Sequence, residues 1–145
     1  MPTTLIYFDL PGRAEATRVA LGIAGVDFED KRISFPEFAA SPFSALPMNG
    51  ADYTQSTALL RYAGKLTGIY PEDPLTALKV DEVVMMAEDC FIASFPSFFE
   101  NDLEKKVRRF PAQAEEFIRG LAARLAANKA SPYFVGDLIT IADLQ

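Results

Sequence analysis

A short apolar segment, a Pro-Gly turn and an amphipathic helix follow one another at the start of this chain, and together they restrict its fold more than any other feature. Residues 4–9 predict a buried strand, and Pro11-Gly12 predicts a turn. Residues 14–24 then predict a helix with apolar positions at helical spacing: Ala16, Val19, Ala20 and Ile23. Because residues 26–33 predict a second strand, the sequence favours a βαβ unit with parallel strands and a right-handed crossover.

Shorter elements follow this unit. Residues 34–45 are rich in Phe, Pro and Ser and predict a loop with one helical turn, and Asn49-Gly50 is a strong hairpin signal. Residues 56–66 predict a helix that ends at Gly68. Its predicted buried face is Ala58, Leu59, Tyr62, Ala63 and Leu66. These elements complete a predicted α/β domain over residues 1–70.

Two prolines separate this domain from a helical remainder. Residues 71–74 predict a linker, and beyond it the periodicity is helical at 75–95 and 110–128. Pro96 is expected to kink or end the first of these helices. Residues 75–145 are therefore predicted to form part of an all-α domain.

The helix predicted at 75–95 has two different faces. Its core stripe is apolar: Val80, Val83, Val84, Ala87 and Phe91. The second face mixes apolar and acidic side chains: Asp81, Met85, Glu88, Asp89 and Ile92. A face that is neither fully polar nor part of the core is typical of a partly hydrated interface, so we expect a two-fold dimer that uses it.

Composition excludes several classes of function. The chain of 145 residues has a net charge of −6, and its basic cluster 105–109 lies among acidic residues, so nucleic acid is not an expected partner. With no histidine and one cysteine, Cys90, neither a transition-metal site nor a disulfide framework is expected. No apolar stretch reaches the length of a membrane span, and the first residues do not resemble a secretory signal. The expected location is the cytoplasm.

Three clusters carry the chemistry of the first domain. Tyr7 precedes Gly12-Arg13-Ala14-Glu15, Leu46-Pro47 follows a loop, and Tyr53-Thr54-Gln55-Ser56 opens a helix. In this order and spacing they resemble the N-terminal, thioredoxin-like domain of the glutathione transferases, closest to the sigma-type branch. The resemblance covers essentially the whole chain and resumes in two later segments, 87–96 and 134–144.

The resemblance implies that Tyr7 is catalytic and that glutathione is the co-substrate, with no metal. Its hydroxyl would donate a hydrogen bond to the glutathione thiolate, and such a bond to a charged acceptor contributes roughly 1.5–3 kcal/mol. Since one pKa unit is about 1.36 kcal/mol, the pKa of a thiol near 8.5 would fall by about one to two units. The thiolate is the nucleophile. The alternative is a tyrosine that only caps the sheet.

Other residues would bind glutathione by the same resemblance. Gln55 and Ser56 would hold the γ-glutamyl end at a helix N-terminus, where an anion is favoured; Ser56 alternatively serves only as the helix cap. The backbone of Leu46, before a cis Pro47, would pair with the cysteinyl part. Arg13, expected in the first helical turn, would orient the Tyr7 region.

Two further positions complete the implied site. Asp89 matches a position that reaches the glutathione of the other subunit, and the alternative is an ordinary solvated carboxylate. Phe35 and Ala39 stand where relatives carry a tryptophan and a lysine that meet the glycyl carboxylate. One carboxylate receptor is missing, so weaker glutathione binding is expected.

The chain also departs from the family pattern in its length. Only Met48 separates Pro47 from the Asn49-Gly50 turn, which is too short for a normal central hairpin arm. Thr140-x-x-Asp143 predicts a capping box, yet the sequence ends at Gln145, so we expect a domain that is incomplete in these 145 residues.

The resemblance implies conjugation of the glutathione thiolate to a hydrophobic electrophile, a reaction associated with detoxification. The second substrate would be lined by Leu10, Met85 and residues 91–99. A glutathione-dependent isomerase would share the glutathione site, and a catalytically silent ligand-binding or structural member of the fold is the other alternative.

Overall fold

The chain folds into two compact units. The computed structural model describes residues 3–40, 46–48, 51–129 and 131–145, with backbone alone at 39, 46–48, 98 and 106–113. One unit comprises Met1–Pro71 with Leu144–Gln145, and the other comprises Glu72–Asp143. The first mixes strands and helices, whereas the second is helical in its described residues.

The first unit begins with the βαβ arrangement that the sequence predicts. Strand β1 (Thr3–Phe8) is followed by helix α1 (Glu15–Ile23) and strand β2 (Phe28–Ile33). The two strands are parallel, and Tyr7 is the register partner of Arg32. The prediction of a parallel pair joined by a helix is confirmed.

The two faces of β1 contact different helices. Leu5 forms a buried cluster with Ala14 and with Leu59 of helix α3 (Ser56–Thr67), and Tyr7 packs against that cluster. The Phe8 ring lies instead against Phe35 and Phe38 of helix α2 (Phe35–Ala40), with centroid distances of 4.5 and 4.9 Å. Successive side chains of a strand start on opposite faces, but at the end of β1 the Tyr7 and Phe8 rings still meet edge to face, with a centroid distance of 5.3 Å.

Helix α2 occupies part of the segment predicted as a loop. Its six residues begin after Ser34, whose backbone N–H donates to the Glu37 carboxylate at 2.7 Å, while Glu37 N–H donates to Ser34 Oγ at 3.4 Å. This reciprocal capping explains why the single expected turn extends to a short helix. Hydrogen bonds from Ser34 hold the pKa of Glu37 below its ordinary value. Residues 41–45 of the predicted loop lie outside the described residues.

A small antiparallel hairpin follows. Strands β3 (Leu46–Met48) and β4 (Ala51–Tyr53) pair with Met48 opposite Ala51, and β3 lies beside β1. Its arms have three residues each, in keeping with the short arm that the sequence indicates. The Asn49-Gly50 turn and the isomer expected at Pro47 lie outside what the structure describes.

The buried face of α1 differs from the predicted one. Its buried residues are Ala16, Thr17, Arg18, Ala20 and Leu21. The prediction is wrong for Val19 and Ile23, which are exposed. Arg18 is buried instead, and its bonds to Asp30 and the Leu10 carbonyl group satisfy the polar side chain there.

Helix α3 shows a similar shift. Its buried residues are Leu59, Leu60, Ala63 and Gly64. Ala58 and Leu66, which the pattern placed on the buried face, are exposed. The helix ends at Gly68, whose φ of 72° is a left-handed conformation that favours glycine, so the predicted end is confirmed.

Two long helices form most of the second unit. Helix α4 (Pro74–Phe98) begins at Asp73, whose carboxylate accepts from Thr76 N–H at 2.8 Å, and it continues through Pro96 rather than ending there. Helix α5 (Leu103–Ala127) begins well before the predicted residue 110, because Asp102 caps it by accepting from Lys105 N–H at 3.2 Å.

The two helices pack against each other. Val80, Val83 and Val84 are buried, which confirms the centre of the predicted core stripe. A Cβ built on Gly120 of α5 would lie 2.6 Å from Met86 Cε of α4, so the helices approach closely at this glycine. Arg124 and Glu82 form an ion pair between them at 2.5 Å.

The predicted capping box is present at the end of the chain. Thr140 N–H donates to Asp143 Oδ2 at 2.8 Å, and Ala142 N–H donates to Thr140 Oγ1 at 3.2 Å. Asp143 Oδ1 also accepts from Phe134 N–H at 2.9 Å. The residues Ile141–Leu144 form a short 3₁₀ helix.

Candidate functional site

Tyr7 lies at the end of β1, beside the turn that leads into α1. The turn contains Gly12, whose φ of 127° is a conformation that L side chains rarely adopt. A Cβ built on Gly12 would lie 3.3 Å from the Tyr7 hydroxyl oxygen. Glycine therefore both permits the turn and keeps one side of the Tyr7 hydroxyl uncovered.

Arg18 supports this strand end, a role that the sequence analysis missed. Its side chain is 8% exposed. Nε donates to Asp30 Oδ1 at 3.1 Å, and Nη1 donates to Glu15 Oε2 at 2.9 Å. The Arg18 Cζ atom is 5.7 Å from the centroid of the Tyr7 ring, within the range of a cation–π interaction. The sequence signal for this role of Arg18 was weak, because an arginine in an amphipathic helix is normally on the exposed face.

Asp30 connects Arg18 to a second cation. It accepts from Arg32 Nε at 2.7 Å, and Arg32 Nη1 lies 3.6 Å from Asp9. Burial opposes ionisation of Asp30, but hydrogen bonds from Arg32 and Arg18 outweigh it and hold the pKa of this carboxyl below its ordinary value. Asp30 is therefore anionic at neutral pH and fixes Arg18.

Gln55 occupies the N-cap position of α3. Its φ of 74° and ψ of 103° are unusual for a residue with a side chain, and no side-chain hydrogen bond caps the helix. Ser56 is the first helical residue, so the interpretation of Ser56 as the cap is wrong. A strained non-glycine backbone persists where its surroundings enforce it, which occurs often at ligand sites.

The remaining predicted residues occupy varied positions. Arg13 lies in the turn before α1, not in its first turn as expected, because the helix begins only at Glu15. Phe35 is 61% exposed while its ring contacts Phe8. The backbone of Leu46 and Pro47 belongs to β3. Asp89 is exposed on α4, in the second unit.

Of the residues expected around a second substrate, the larger side chains are mostly exposed or half-buried within their own units, whereas Ser94 and Ser97 are buried. Leu10 is exposed in the first unit, and Met85 is exposed in the second. The Phe91, Phe95 and Phe99 rings follow one another along the end of α4, with centroid distances of 5.8 and 5.1 Å. The three rings form an aromatic row on that helix.

The described residues were also compared with the requirements of a metal site, a membrane-spanning helix and a disulfide. Among them, no group of three or more His, Cys, Asp or Glu side chains is arranged to hold a metal ion. No helix in the described part of the chain is long and apolar enough to cross a membrane. Cys90 is half-buried on α4 and forms no disulfide.

Known proteins resemble this chain along almost its full length. Glutathione S-transferase 1 of Ascaris suum is 31% identical over 97% of this chain and 74% of its own length. S-crystallin SL11 of Nototodarus sloanii is 31% identical, with 100% and 77% covered. Hematopoietic prostaglandin D synthase of Gallus gallus is 31% identical, with 96% and 73% covered. No protein-family model matches the chain.

Solved structures share the fold. The glutathione S-transferase from Ascaris lumbricoides superposes with a TM-score of 0.88 at 29% identity, covering 99% of this chain and 77% of the other. A glutathione S-transferase from the hookworm Necator americanus, described as monomeric, gives a TM-score of 0.86 at 31% identity, with 99% and 77% covered. The fold is thus the predicted thioredoxin-like α/β domain followed by an all-α domain. The chain belongs to the glutathione S-transferase family.

Proposed function

We propose that this protein is a glutathione transferase that conjugates the glutathione thiolate to hydrophobic electrophiles. The observation that carries the proposal is the position of Tyr7, one residue before the end of β1, with its hydroxyl oxygen beside a glycine that has no Cβ to cover it. A sulfur atom needs such access to accept the hydroxyl hydrogen. Family membership supports the same reaction, since curated relatives at 30–32% identity are glutathione S-transferases.

Tyr7 is proposed to stabilise the thiolate by donating a hydrogen bond. We therefore expect Tyr7→Phe to raise the pKa of bound glutathione by about one to two units while changing its affinity little. Ultraviolet titration of the thiolate in the wild-type and variant complexes measures the effect. An unshifted titration would remove Tyr7 from the mechanism.

Glutathione is proposed to bind along the ends of the first unit. Gln55 and Ser56 would receive the γ-glutamyl group, because free N–H groups at the start of α3 favour an anion. The Leu46 backbone before Pro47 would pair with the cysteinyl part, and Arg13 would support the turn near Tyr7. Phe35, exposed at the start of α2, would contact the glycyl end without the charge that a lysine supplies.

Two alternatives within the same fold are carried by named relatives. A relative named hematopoietic prostaglandin D synthase favours a glutathione-dependent isomerase, and a relative named S-crystallin favours a silent ligand-binding or structural protein. Retention on immobilised glutathione together with turnover of an aryl halide separates the transferase from the silent protein. Retention without conjugation, combined with rearrangement of a peroxide substrate, would favour the isomerase.

We further propose the domain and assembly assignments that follow from this function. Residues 1–70 would be the glutathione-binding domain, 71–74 the linker and 75–145 part of the helical domain. The α4 face that contains Asp89 would form a two-fold dimer, and Asp89 would reach the glutathione of the other subunit. We propose a cytoplasmic location, which fits a chain with one cysteine and no disulfide framework. A role in detoxification would follow from the conjugation of electrophiles.

A further inference from the structure

Arg18 is a buried cation whose contacts surround the end of β1. Besides its bonds to Asp30 and Glu15, Nη2 lies 3.5 Å from the Phe8 carbonyl oxygen, and Nη1 lies 3.4 Å from the Leu10 carbonyl oxygen. Phe8 is the residue after Tyr7, and Leu10 lies two residues further on, just before the Pro11-Gly12 turn. The guanidinium therefore contacts the backbone on which the direction of the Tyr7 side chain depends.

The same guanidinium also lies close to the Tyr7 ring. The distance from Cζ to the ring centroid is 5.7 Å, and the side chain is nearly excluded from solvent. Water screens a buried charge weakly, so the guanidinium acts on the ring even though the carboxylates of Asp30 and Glu15 offset part of its charge. Asp30 and Glu15 restrict the guanidinium to this position.

We propose that Arg18 is a positioning residue that acts on glutathione through Tyr7. A positive charge beside an aromatic ring stabilises negative charge on the ring, so the phenol becomes a stronger hydrogen-bond donor toward the thiolate. The contacts with the Phe8 and Leu10 carbonyls hold that donor in a fixed direction. The inference rests on the role of Tyr7 given under Proposed function, and Arg18 itself touches no substrate.

A purely structural role predicts a different result. The Arg18–Asp30 pair joins α1 to β2, so its loss would lower the stability of the unit in either case. A structural pair leaves the thiol pKa of bound glutathione unchanged in the folded fraction. The thiol pKa and the separation of kcat from KM therefore distinguish the two roles.

The experiment compares Arg18→Met, which keeps the aliphatic stem, with Arg18→Lys, which keeps the charge but loses the planar group. We expect Arg18→Met to raise the pKa of bound glutathione by about half to one unit. Below that pKa the thiolate fraction then falls about 3- to 10-fold, and kcat falls with it, while KM for glutathione changes less than about twofold. Arg18→Lys should lie between Arg18→Met and the wild type. Arg119→Met removes an exposed arginine of α5 as the matched control and should change neither quantity.

A double variant tests whether Arg18 acts through Tyr7. In the Tyr7→Phe background, Arg18→Met should add little to the pKa shift, because the donor that it strengthens is already absent. Additive shifts, or an unchanged thiol pKa in folded Arg18→Met, would overturn the inference. Should Arg18→Met fail to fold, wild-type kcat and thiol pKa in Arg18→Lys would overturn it equally. If the wild type itself does not lower the thiol pKa, the proposed function fails instead, and the Tyr7→Phe comparison identifies that outcome.

Discussion

Glycine at position 12 is required by two independent features of the site. Its φ of 127° disfavours any L side chain, and a Cβ there would lie 3.3 Å from the Tyr7 hydroxyl oxygen. We expect Gly12→Ala to lower the free energy of unfolding by about 1–3 kcal/mol, the usual range for strained backbone. Turnover should also fall, because the methyl group occupies space that the sulfur needs. Thermal unfolding and steady-state kinetics measure the two effects separately.

Gly22 in α1 provides the matched control. A Cβ at that position would meet no atom within 4 Å, and the backbone of Gly22 is not in the left-handed region. Gly22→Ala should therefore stabilise the protein by about 0.5–1 kcal/mol through helix propensity and leave turnover unchanged. If Gly12→Ala behaved like Gly22→Ala, the turn beside Tyr7 would not impose the constraint described above.

The carboxylate of Asp30 is expected to make a contribution to the free energy of unfolding that is lost at acidic pH. Its folded-state pKa is lowered, so its contribution is complete above the unfolded value near 3.9 and is lost as pH falls through the folded pKa. We expect the difference in Tm between wild type and Asp30→Asn to be largest above about pH 4 and to shrink below it. Calorimetric melts across this range measure the difference.

Asp27, exposed just before β2, serves as the control for this pH series. Asp27→Asn should follow the wild-type Tm at every pH. A Tm difference for Asp30→Asn that stayed constant down to about pH 2 would show that the carboxylate charge is not what stabilises Arg18.

Tyr7 and the Gly12 turn were predicted from the sequence, but the contacts of Arg18 and Asp30 beside them were not. Tyr7 and Gly12 are close in the chain, so their relation follows from a local pattern. Arg18 lies on a helix and Asp30 on a strand, and only the tertiary fold brings the two side chains together. Gln55 was predicted to hold the γ-glutamyl group, but the sequence pattern did not predict its positive φ of 74°.

At the scale of elements, the contact between α4 and α5 depends on a small residue. A Cβ on Gly120 would lie 2.6 Å from Met86 Cε, so alanine requires the methionine to move. Met86 Cε is the end of a flexible, half-buried side chain, so moving it costs little, whereas alanine gains about 1 kcal/mol in helix propensity. We expect Gly120→Ala to stabilise the protein by up to about 1 kcal/mol, measured by urea unfolding.

A double-variant cycle isolates the contact. In the Met86→Ala background that methyl group is absent, so Gly120→Ala should stabilise by the full helix propensity, about 1 kcal/mol. The difference between the two backgrounds is the free energy of moving Met86. A Gly120→Ala variant that destabilised the wild type but stabilised Met86→Ala would show that Met86 cannot move aside cheaply.

The order of the helices and strands could be predicted from the sequence, but some of their boundaries and buried faces could not. Hydrophobic periodicity located β1, β2, α3 and α4, because those segments combine a clear period with flanking turn residues. It misplaced the start of α5, where the Asp102 cap lies before a charged stretch with little apolar signal. Pro96 was expected to kink or end α4; the helix does not end there but continues to Phe98, and the kink stays a prediction.

For the whole molecule, the proposed dimer makes a direct prediction. Ile92 is 53% exposed on the α4 face that mixes apolar and acidic side chains, and burying an unpaired charge there would oppose association. We expect the wild type to show dimer mass by light scattering at micromolar concentration and Ile92→Asp to show monomer mass. The hookworm relative described as monomeric makes this comparison informative, because a dimer is not assured by the fold.

Ile118 on α5 is the control, since it is also exposed but lies outside that face. Ile118→Asp should keep the mass of the wild type. A monomeric wild type, or equal dissociation by both variants, would contradict the proposed interface and the role of Asp89 across it.

The alternation of side chains along β1 restricts which insertions or deletions this strand can accept. Tyr7 contacts the layer of α1 and α3, and its neighbour Phe8 contacts the layer of α2. A one-codon insertion or deletion within the strand, with the register of its first residues kept, would exchange these two positions and direct the phenol into the phenylalanine layer. Within the first strand, therefore, only a change of an even number of residues keeps the phenol on the face of Leu5.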